Sequence, residues 1–313
     1  MINSQTHPDL ETAVKQLNAF VGNTPLFPIN KVYQKKGVQI YAKLEWQQLG
    51  MSVKARPAFN IIKEAILNGQ LDQNTRLLDA TSGNTGIAYA SVGAALGIPV
   101  SLCLPANASK ERKQILKALG VELILTSQFE STDGAQEEAK KLKAQYPARY
   151  FYADQYANEH NWRAHYNTTA LEIWKQTKGT VTHFVSALGT TGTFVGTSRR
   201  LQKLNPNIQV TSLQPDSAMH GLEGWKHLET AKVPIIYDHT VADQNLEIDT
   251  QAAYDLVKEI ASKEGILVSP SAAGNLLGAI KVAEQIDEGT IVTVFPDDAS
   301  KYSEVLEFIL QGS

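Results

Sequence analysis

"RLLDATSGNTGIAYASVGAALG" runs from Arg76 to Gly97. Its first five residues read as a strand, apolar and short. "TSGNTG" (81–86) is a loop of small residues, and "IAYASVGAALG" has the composition of a buried helix. Strand, small-residue loop and helix in this order open a β-α-β unit. The next segment, "PVSLCLP" (99–105), supplies the following strand. A helix over "SKERKQILKALG" comes next, with Ser109 as its cap and Ile115, Leu116 and Leu119 on one side. "VELILT" (121–126) is a third strand. "GAQEEAKKLKAQY" predicts a charged surface helix, and "RYFYA" (149–153) a short strand.

The same alternation continues to the end of the chain. "THFVSA" (182–187), "IQVTSLQ" (208–214), "GILVS" (265–269) and "TIVTVF" (290–295) read as strands, each with helical sequence nearby. Near-continuous apolar strands separated by helices predict an α/β fold, with mostly parallel sheets covered on both faces. Two lobes are expected, meeting near "YADQYANEHN" (152–161). No internal repeat, low-complexity tract or flexible linker interrupts the pattern.

Composition narrows the function classes. The chain has 313 residues, 43% of them hydrophobic, and a formal net charge of −3. It can bury a large core. No basic run suggests nucleic acid or a membrane surface. No apolar run approaches the roughly 18 residues of a spanning helix. The first residues lack the pattern of a signal peptide, so a cytoplasmic location is expected. Cys103 is the only cysteine. It sits in an apolar strand, so a buried, inert thiol is expected. Asp297 and Asp298 have no His/Asp constellation at metal-ligand spacing. A capping turn is predicted there, and no metal site.

Three strand-to-helix corners carry the chemistry. "TSGNTG" lets backbone approach a ligand and offers free helix-start N–H groups to an anion. Ser82, Asn84 and Thr85 add side-chain donors, a set suited to a carboxylate, and a tight βα turn capped by Ser and Asn explains the loop equally well. "SALGTTGTFVG" (186–196) combines Gly189, Gly192 and Gly196 with Thr190, Thr191 and Thr193. Hydroxyls, N–H groups and the helix dipole together suit a phosphate. The loop is not a Walker A motif and matches the dinucleotide GxGxxG only loosely. "GILVSPSAAGN" (265–275) places Ser271 at a helix mouth, where a plain N-cap also explains it. A fourth feature is "MSVKARP" (51–57), where Lys54 stands at a predicted helix start with Ser52 as its cap and Gly69 as its stop. A helix N-terminus disfavours an ammonium group. The same field helps a lysine that must lose its proton.

Taken in order, "VGNTPL" (21–26), "AKLEW" (42–46), "SVKAR", "TSGNTG", "DQYAN" (154–158), "GTTGTFVG", "EGILVSPSA" and "FPDD" resemble the cysteine synthase / cystathionine β-synthase family of fold-type II pyridoxal-phosphate (PLP) enzymes. The resemblance covers nearly the whole chain. It implies PLP as cofactor, with Lys54 bonded to it and acting as the catalytic base. It assigns the cofactor phosphate to Gly189, Thr190, Thr191, Gly192 and Thr193. Ser271 is the implied partner of the pyridine nitrogen, and Asn84 lies near the ring hydroxyl. Thr81, Ser82, Thr85 and Gln155 are the implied holders of the substrate α-carboxylate. The implied architecture is a smaller, mobile substrate-closing domain at 47–155 and a larger PLP-anchoring domain at 1–46 and 156–313.

The implied reaction is β-replacement on O-acetylserine or O-phosphoserine by sulfide or another sulfur donor, through an α-aminoacrylate. Condensation of serine with homocysteine, as in cystathionine β-synthase, is the alternative, followed by serine or threonine dehydration. A catalytically silent PLP-fold binding protein and a nucleotide-dependent dehydrogenase stand further off. A homodimer is implied, and serine acetyltransferase is a partner known in such families. Met51 and Ala55 depart from the common Gly and Asp of the lysine motif. In 214–234, His220, Trp225, Lys226 and His227 are candidates for an anionic leaving group. An ordinary surface turn and helix is the preferred reading of that segment.

Overall fold

The computed structural model describes residues 9–81 and 83–311, without the side chain of Ser131. Chain order begins with α1 (Leu10–Leu17), β1 (Leu26–Ile29), β2 (Val38–Leu44), α2 (Ala55–Leu67), β3 (Arg76–Ala80) and α3 (Asn84–Leu96). Next come β4 (Val100–Pro105), α4 (Lys110–Ala118), β5 (Glu122–Thr126), α5 (Ser131–Gln145), β6 (Tyr150–Tyr152), α6 (Glu159–Asn167) and α7 (Thr169–Gln176). The remainder is β7 (His183–Ala187), α8 (Gly192–Leu204), β8 (Gln209–Pro215), β9 (Gln244–Ile248), α9 (Thr250–Glu264), α10 (Pro270–Glu284), β10 (Gly289–Phe295) and α11 (Ser303–Gln311).

These elements form two compact units. The smaller holds the described residues up to Gly22 and Ala58–Asp154; the larger holds Asn23–Pro57 and Gln155 onward. Residues 47–57, expected with the smaller domain, thus lie in the larger unit, and α1 lies in the smaller. The division falls inside α2. Residues 47–57 stay with the large sheet because its backbone holds them: the Val53 N–H donates to Pro296 O at 2.7 Å.

The smaller unit is a four-stranded, wholly parallel sheet in the order β5-β4-β3-β6. Leu78, Ala80, Cys103 and Tyr150 of the strands pack with Ala135 and Ala139 of α5. Every residue of β4 is buried, in keeping with its near-continuous apolar run. Cys103 lies in it as a buried free thiol, and burial pushes its pKa up to about 12.

The larger unit is a six-stranded sheet ordered β1-β2-β10-β7-β8-β9, with only β1 antiparallel. Alternation along the central β10 divides its core. Ile291 and Phe295 join the apolar cluster of α9 and α10, whereas Val292 and Val294 join that of α7 and α8. The expected strand "GILVS" is absent: Val268 makes one isolated bridge, to Asp298. Five residues connect α9 to α10, and β10 already has β2 and β7 on its two edges, so the sheet has no vacancy there. Val268 is apolar because it fills the core. The register pairs Phe295 with Leu44 and Thr293 with Val185, so β2, β10 and β7 end together at one edge. In open parallel sheets, that carboxyl edge is where ligands bind.

Candidate active site

The carboxyl edge of the large sheet carries most of the residues singled out above. Lys54 precedes the first residue of α2. Its own N–H donates to Ser52 Oγ at 3.3 Å, and Gln48 Nε2 donates to Ser52 O at 3.2 Å. Lys301 Nζ donates to Met51 O at 2.8 Å. Together with the Val53–Pro296 bond, these contacts fix the backbone on both sides of Lys54. Met51 has φ +51°, the left-handed region that favours glycine. Its side chain is exposed. The departure from glycine is therefore first a backbone matter.

The Lys54 side chain is half-buried, and its ammonium has no hydrogen bond or ion pair among the described residues. Burial lowers its pKa, while the carboxylates of Asp297 and Glu45 work in the opposite direction. The net effect favours the neutral amine. Two residues on, Arg56 is fully buried and fully paired. Its Nε and Nη2 donate to Glu45 at 2.6 and 2.8 Å, and its Nη1 and Nη2 to Glu172 at 2.7 and 2.8 Å. Lys43 Nζ also lies 2.7 Å from Glu172. Burial works to raise both carboxyls, but pairing with Arg56, aided by Lys43, outweighs it: Glu45 is held below its ordinary value and Glu172 well below. One cation of the pair 54/56 is thus locked in, while the other is disfavoured.

The β7–α8 corner is Leu188–Thr191. Thr191 has φ +71° and caps α8 through its backbone alone. Its buried hydroxyl has no hydrogen-bond partner among the described residues. Thr190 Oγ1 accepts from Asn161 Nδ2 at 3.1 Å, and the same amide donates to Gln155 O at 2.6 Å. Thr193 Oγ1 lies 3.3 Å from His165 Nε2, whose Nδ1 is 2.9 Å from Thr169 Oγ1. Burial, with the charge of Arg56, lowers the His165 pKa to about 3, so this imidazole is neutral. Asn161 and His165, one helical turn apart on α6, orient the loop from beneath. Both lie just beyond the "DQYAN" motif, in "EHNWRAH", but nothing local distinguishes them from ordinary helix polar residues.

The three glycines of the corner have three different causes. A Cβ on Gly189 would stand 2.1 Å from Gly224 O; on Gly192, 2.0 Å from Asn161 Oδ1; on Gly196, 2.0 Å from Trp162 O. Gly196 therefore serves the packing of α8 on α6. Gly189 and Gly192 shape the corner itself.

Ser271 is the second residue of α10. The cap is Ser269, whose Oγ accepts from the Ala272 N–H at 3.2 Å. Ser271 Oγ sits 2.9 Å from Ser269 Oγ and is buried. Capping thus falls to Ser269 rather than to Ser271. Asn275, one turn on, accepts from the Ala187 N–H at 2.9 Å and donates to Val294 O at 2.7 Å. It ties α10 to the ends of β7 and β10, and Thr293 Oγ1 adds a bond to Val185 O at 2.8 Å.

The smaller unit carries the remaining candidates. Thr81 Oγ1 accepts from the N–H groups of Gly83 and Gly86 at 3.1 and 3.2 Å, which leaves its O–H proton to be donated. Asn84 is the first residue of α3, and Thr85 is buried beside it. Ser82 lies outside the described residues. Arg112 of α4 packs on this loop, with its guanidinium carbon 3.2 Å from where a Cβ on Gly83 would be.

The segment 214–234 contains no helix. Leu222 and Trp225 are buried in the core instead. The expected turns are present, but the expected helix is not: the connection is irregular because its apolar residues reach inward. Asp298 caps a short turn through its bond from the Ser300 N–H at 3.1 Å. Among the described residues, no group of three metal-ligating side chains occurs, and no helix is long and apolar enough to cross a membrane.

An unpartnered buried hydroxyl at a helix N-terminus, with two more threonines held in place around it, is a fitting receptacle for a phosphate. A lysine kept from ion pairing at the same sheet edge fits an aldehyde. Both demands are met by pyridoxal phosphate. The pyridoxal-phosphate dependent enzyme family matches residues 17–297. The chain belongs to this family. Among its members, a cysteine synthase of Aquifex aeolicus is 47% identical over 289 residues, covering 90% of this chain and 88% of that protein. The crystal structure of a cysteine synthase from Entamoeba histolytica matches with a TM-score of 0.87 and 32% identity, covering 99% and 98% of the two chains. A hydrogen sulfide-producing enzyme from Fusobacterium nucleatum matches with a TM-score of 0.86 and 34% identity, covering 91% and 98%. The pyridoxal-phosphate-dependent fold is thus the two-unit α/β architecture described above.

Proposed function

We propose that this enzyme is a cysteine-synthase-type catalyst of β-replacement. It takes an activated serine, O-acetylserine or O-phosphoserine, and exchanges the leaving group for sulfide or another sulfur donor. The observation that carries the reading is Lys54: a half-buried amine of lowered pKa, without a hydrogen bond or ion pair among the described residues, at the same sheet edge as the Thr190–Thr193 loop. Likeness to cysteine synthases over most of the chain supports it.

When bound, pyridoxal phosphate supplies an aldehyde that takes up an amine and an electron-poor ring that accepts the electron pair left at Cα. The chain's residues do the rest. Gly189, Thr190, Thr191, Gly192 and Thr193 hold the phosphate through N–H groups and hydroxyls. The Ser271 hydroxyl would serve the pyridine nitrogen as a neutral partner, which suits prompt elimination over a long-lived carbanion. The family resemblance assigns Asn84 to the ring hydroxyl, and it assigns Thr81, Ser82, Thr85 and Gln155 to the substrate carboxylate, which would orient Cα. The Lys54 amine removes the proton from Cα and later returns it to the same carbon. Its lowered pKa favours the neutral form that carries the lone pair.

Condensation with homocysteine and simple dehydration are not favoured, since the 47% likeness is to a cysteine synthase. A homodimer, a cytoplasmic location and docking of serine acetyltransferase belong to the same proposal and come from the family resemblance. Sedimentation alone and with added acetyltransferase tests the assembly. Spectroscopy and assay of the purified protein test the chemistry. Wild type should show the visible band of lysine-bound cofactor, and Lys54→Ala should lack it and all β-replacement. O-Acetylserine or O-phosphoserine should shift that band, and sulfide should restore it with release of cysteine. A colourless protein that takes up no added pyridoxal phosphate would sink the reading.

A further inference from the structure

Residues 216–243 join β8 to β9 without regular structure. Yet Gly221–Lys226 is tightly fixed, and it is fixed to both proposed cofactor anchors. At the phosphate corner, backbone meets backbone. The Lys226 N–H donates to Leu188 O at 2.7 Å, and Gly224 O leaves no room for a Cβ on Gly189. At the other anchor, the Trp225 ring lies 3.0 Å from where a Cβ on Gly274 would stand. Gly274 is on α10, three residues beyond Ser271. The near end of the segment is seated on α9, where Tyr254 Oη fills the space a Gly221 side chain would need. Trp225 is only 7% exposed and shares the core with Leu222, Ala273 and Leu276.

We propose that Gly221–Lys226 is a strap that sets the separation of the phosphate corner and the Ser271 helix, with Trp225 as its positioning residue. The inference rests on the cofactor reading of those two anchors. A pyridine ring and its phosphate arm have a nearly fixed length. Anchors already held at that length bind without first being ordered, and looser anchors lose affinity. The indole ring gives the strap its hold on α10. The Gly224 carbonyl and the Lys226 N–H, on the residues that flank Trp225, pass that hold to the phosphate corner.

The test uses the full chain reconstituted with pyridoxal phosphate. Trp225→Leu removes the contact from the strap side. Gly274→Ala pushes the ring away from the helix side. Leu256→Ala is a control truncation in the same apolar cluster that alters neither strap nor anchors. Cofactor dissociation by equilibrium dialysis and the ³¹P linewidth of the bound phosphate are the readouts, with thermal stability measured alongside. Trp225→Leu and Gly274→Ala should each weaken cofactor binding at least tenfold and broaden the ³¹P signal. The double variant should be no worse than the weaker single one, and Leu256→Ala should stay within twofold of wild type. Retention within twofold in both strap variants, or equal weakening in all three, overturns the proposal. A wild-type protein that binds no pyridoxal phosphate overturns the proposed function itself, and the strap with it.

Discussion

Replacing Arg56 with methionine should invert the pH response of the large unit's buried ion network. Arg56 neutralises Glu45, whose side chain is fully buried, and Glu172, whose side chain is 13% exposed. Methionine fills much of the same volume but strands Glu45. Two neutral bonds remain to that carboxylate, from Thr24 Oγ1 at 2.7 Å and Gln48 Nε2 at 2.9 Å. Glu172 keeps Lys43 and partial access to solvent. Removing one partner of a buried pair costs about 3–5 kcal/mol, most of it the uncompensated charge. At about 2.1 cal/mol/K per residue over 313 residues, that lowers Tm by about 5–8 °C. In wild type, the folded pKa of Glu45 lies below its ordinary 4.5. Its contribution is therefore present above pH 4.5 and is lost as pH falls through the folded value. In the variant, burial without Arg56 raises the folded pKa above 4.5. The sign reverses, and stability is lost as pH rises through that raised value. Urea unfolding at pH 5 and pH 8 measures both effects. The deficit of Arg56→Met should be larger at pH 8, and adding Glu45→Gln should recover at least about 1 kcal/mol by removing the stranded charge. A deficit below about 1 kcal/mol, or one that shrinks at pH 8, refutes the reasoning.

Gly196→Ala should destabilise by about 3 kcal/mol through overpacking, because its Cβ would stand 2.0 Å from the Trp162 carbonyl and α6 and α8 must part. Circular dichroism melts should show the loss, and a variant as stable as wild type would contradict that close approach. His165 should make wild-type stability fall between pH 6.5 and about 3, where the unfolded imidazole takes a proton that the folded one refuses. His165→Gln should flatten that part of the stability–pH curve, and an unchanged slope would place the effect on another group.

What the sequence disclosed, and what it hid, follows from the range of the interaction involved. β3, β4, β7, β8 and β10 were legible because strands buried on both faces are largely apolar. β9, "QNLEI", was not, since an edge strand alternates buried and exposed residues and reads as polar. "GILVS" misled for another reason: an apolar run suggests a buried strand, yet Leu267 is 63% exposed and Val268 fills the core without joining the sheet. Lys54 stood out because a helix start disfavours an ammonium group, and the β7–α8 corner because glycines and threonines cluster there; Ser271 by itself is what a helix start wants, and only the ordered set of motifs singled it out. Arg56 and Glu172 did not, because their pairing spans 116 residues and neither is unusual where it stands. Trp225 stands among polar neighbours that suggest a surface segment; the missing side chain of Gly274, 49 positions away, helps make its place in the core. The glycines of "GTTGTFVG" press the point further. Read as one loop, they suggest one ligand. In the fold, Gly189 yields to a carbonyl of the 221–226 strap, Gly192 to an amide of α6, and Gly196 to the backbone of α6. A glycine admits any close approach, whether ligand or neighbouring chain, and only the partner across the gap distinguishes a binding residue from a packing one.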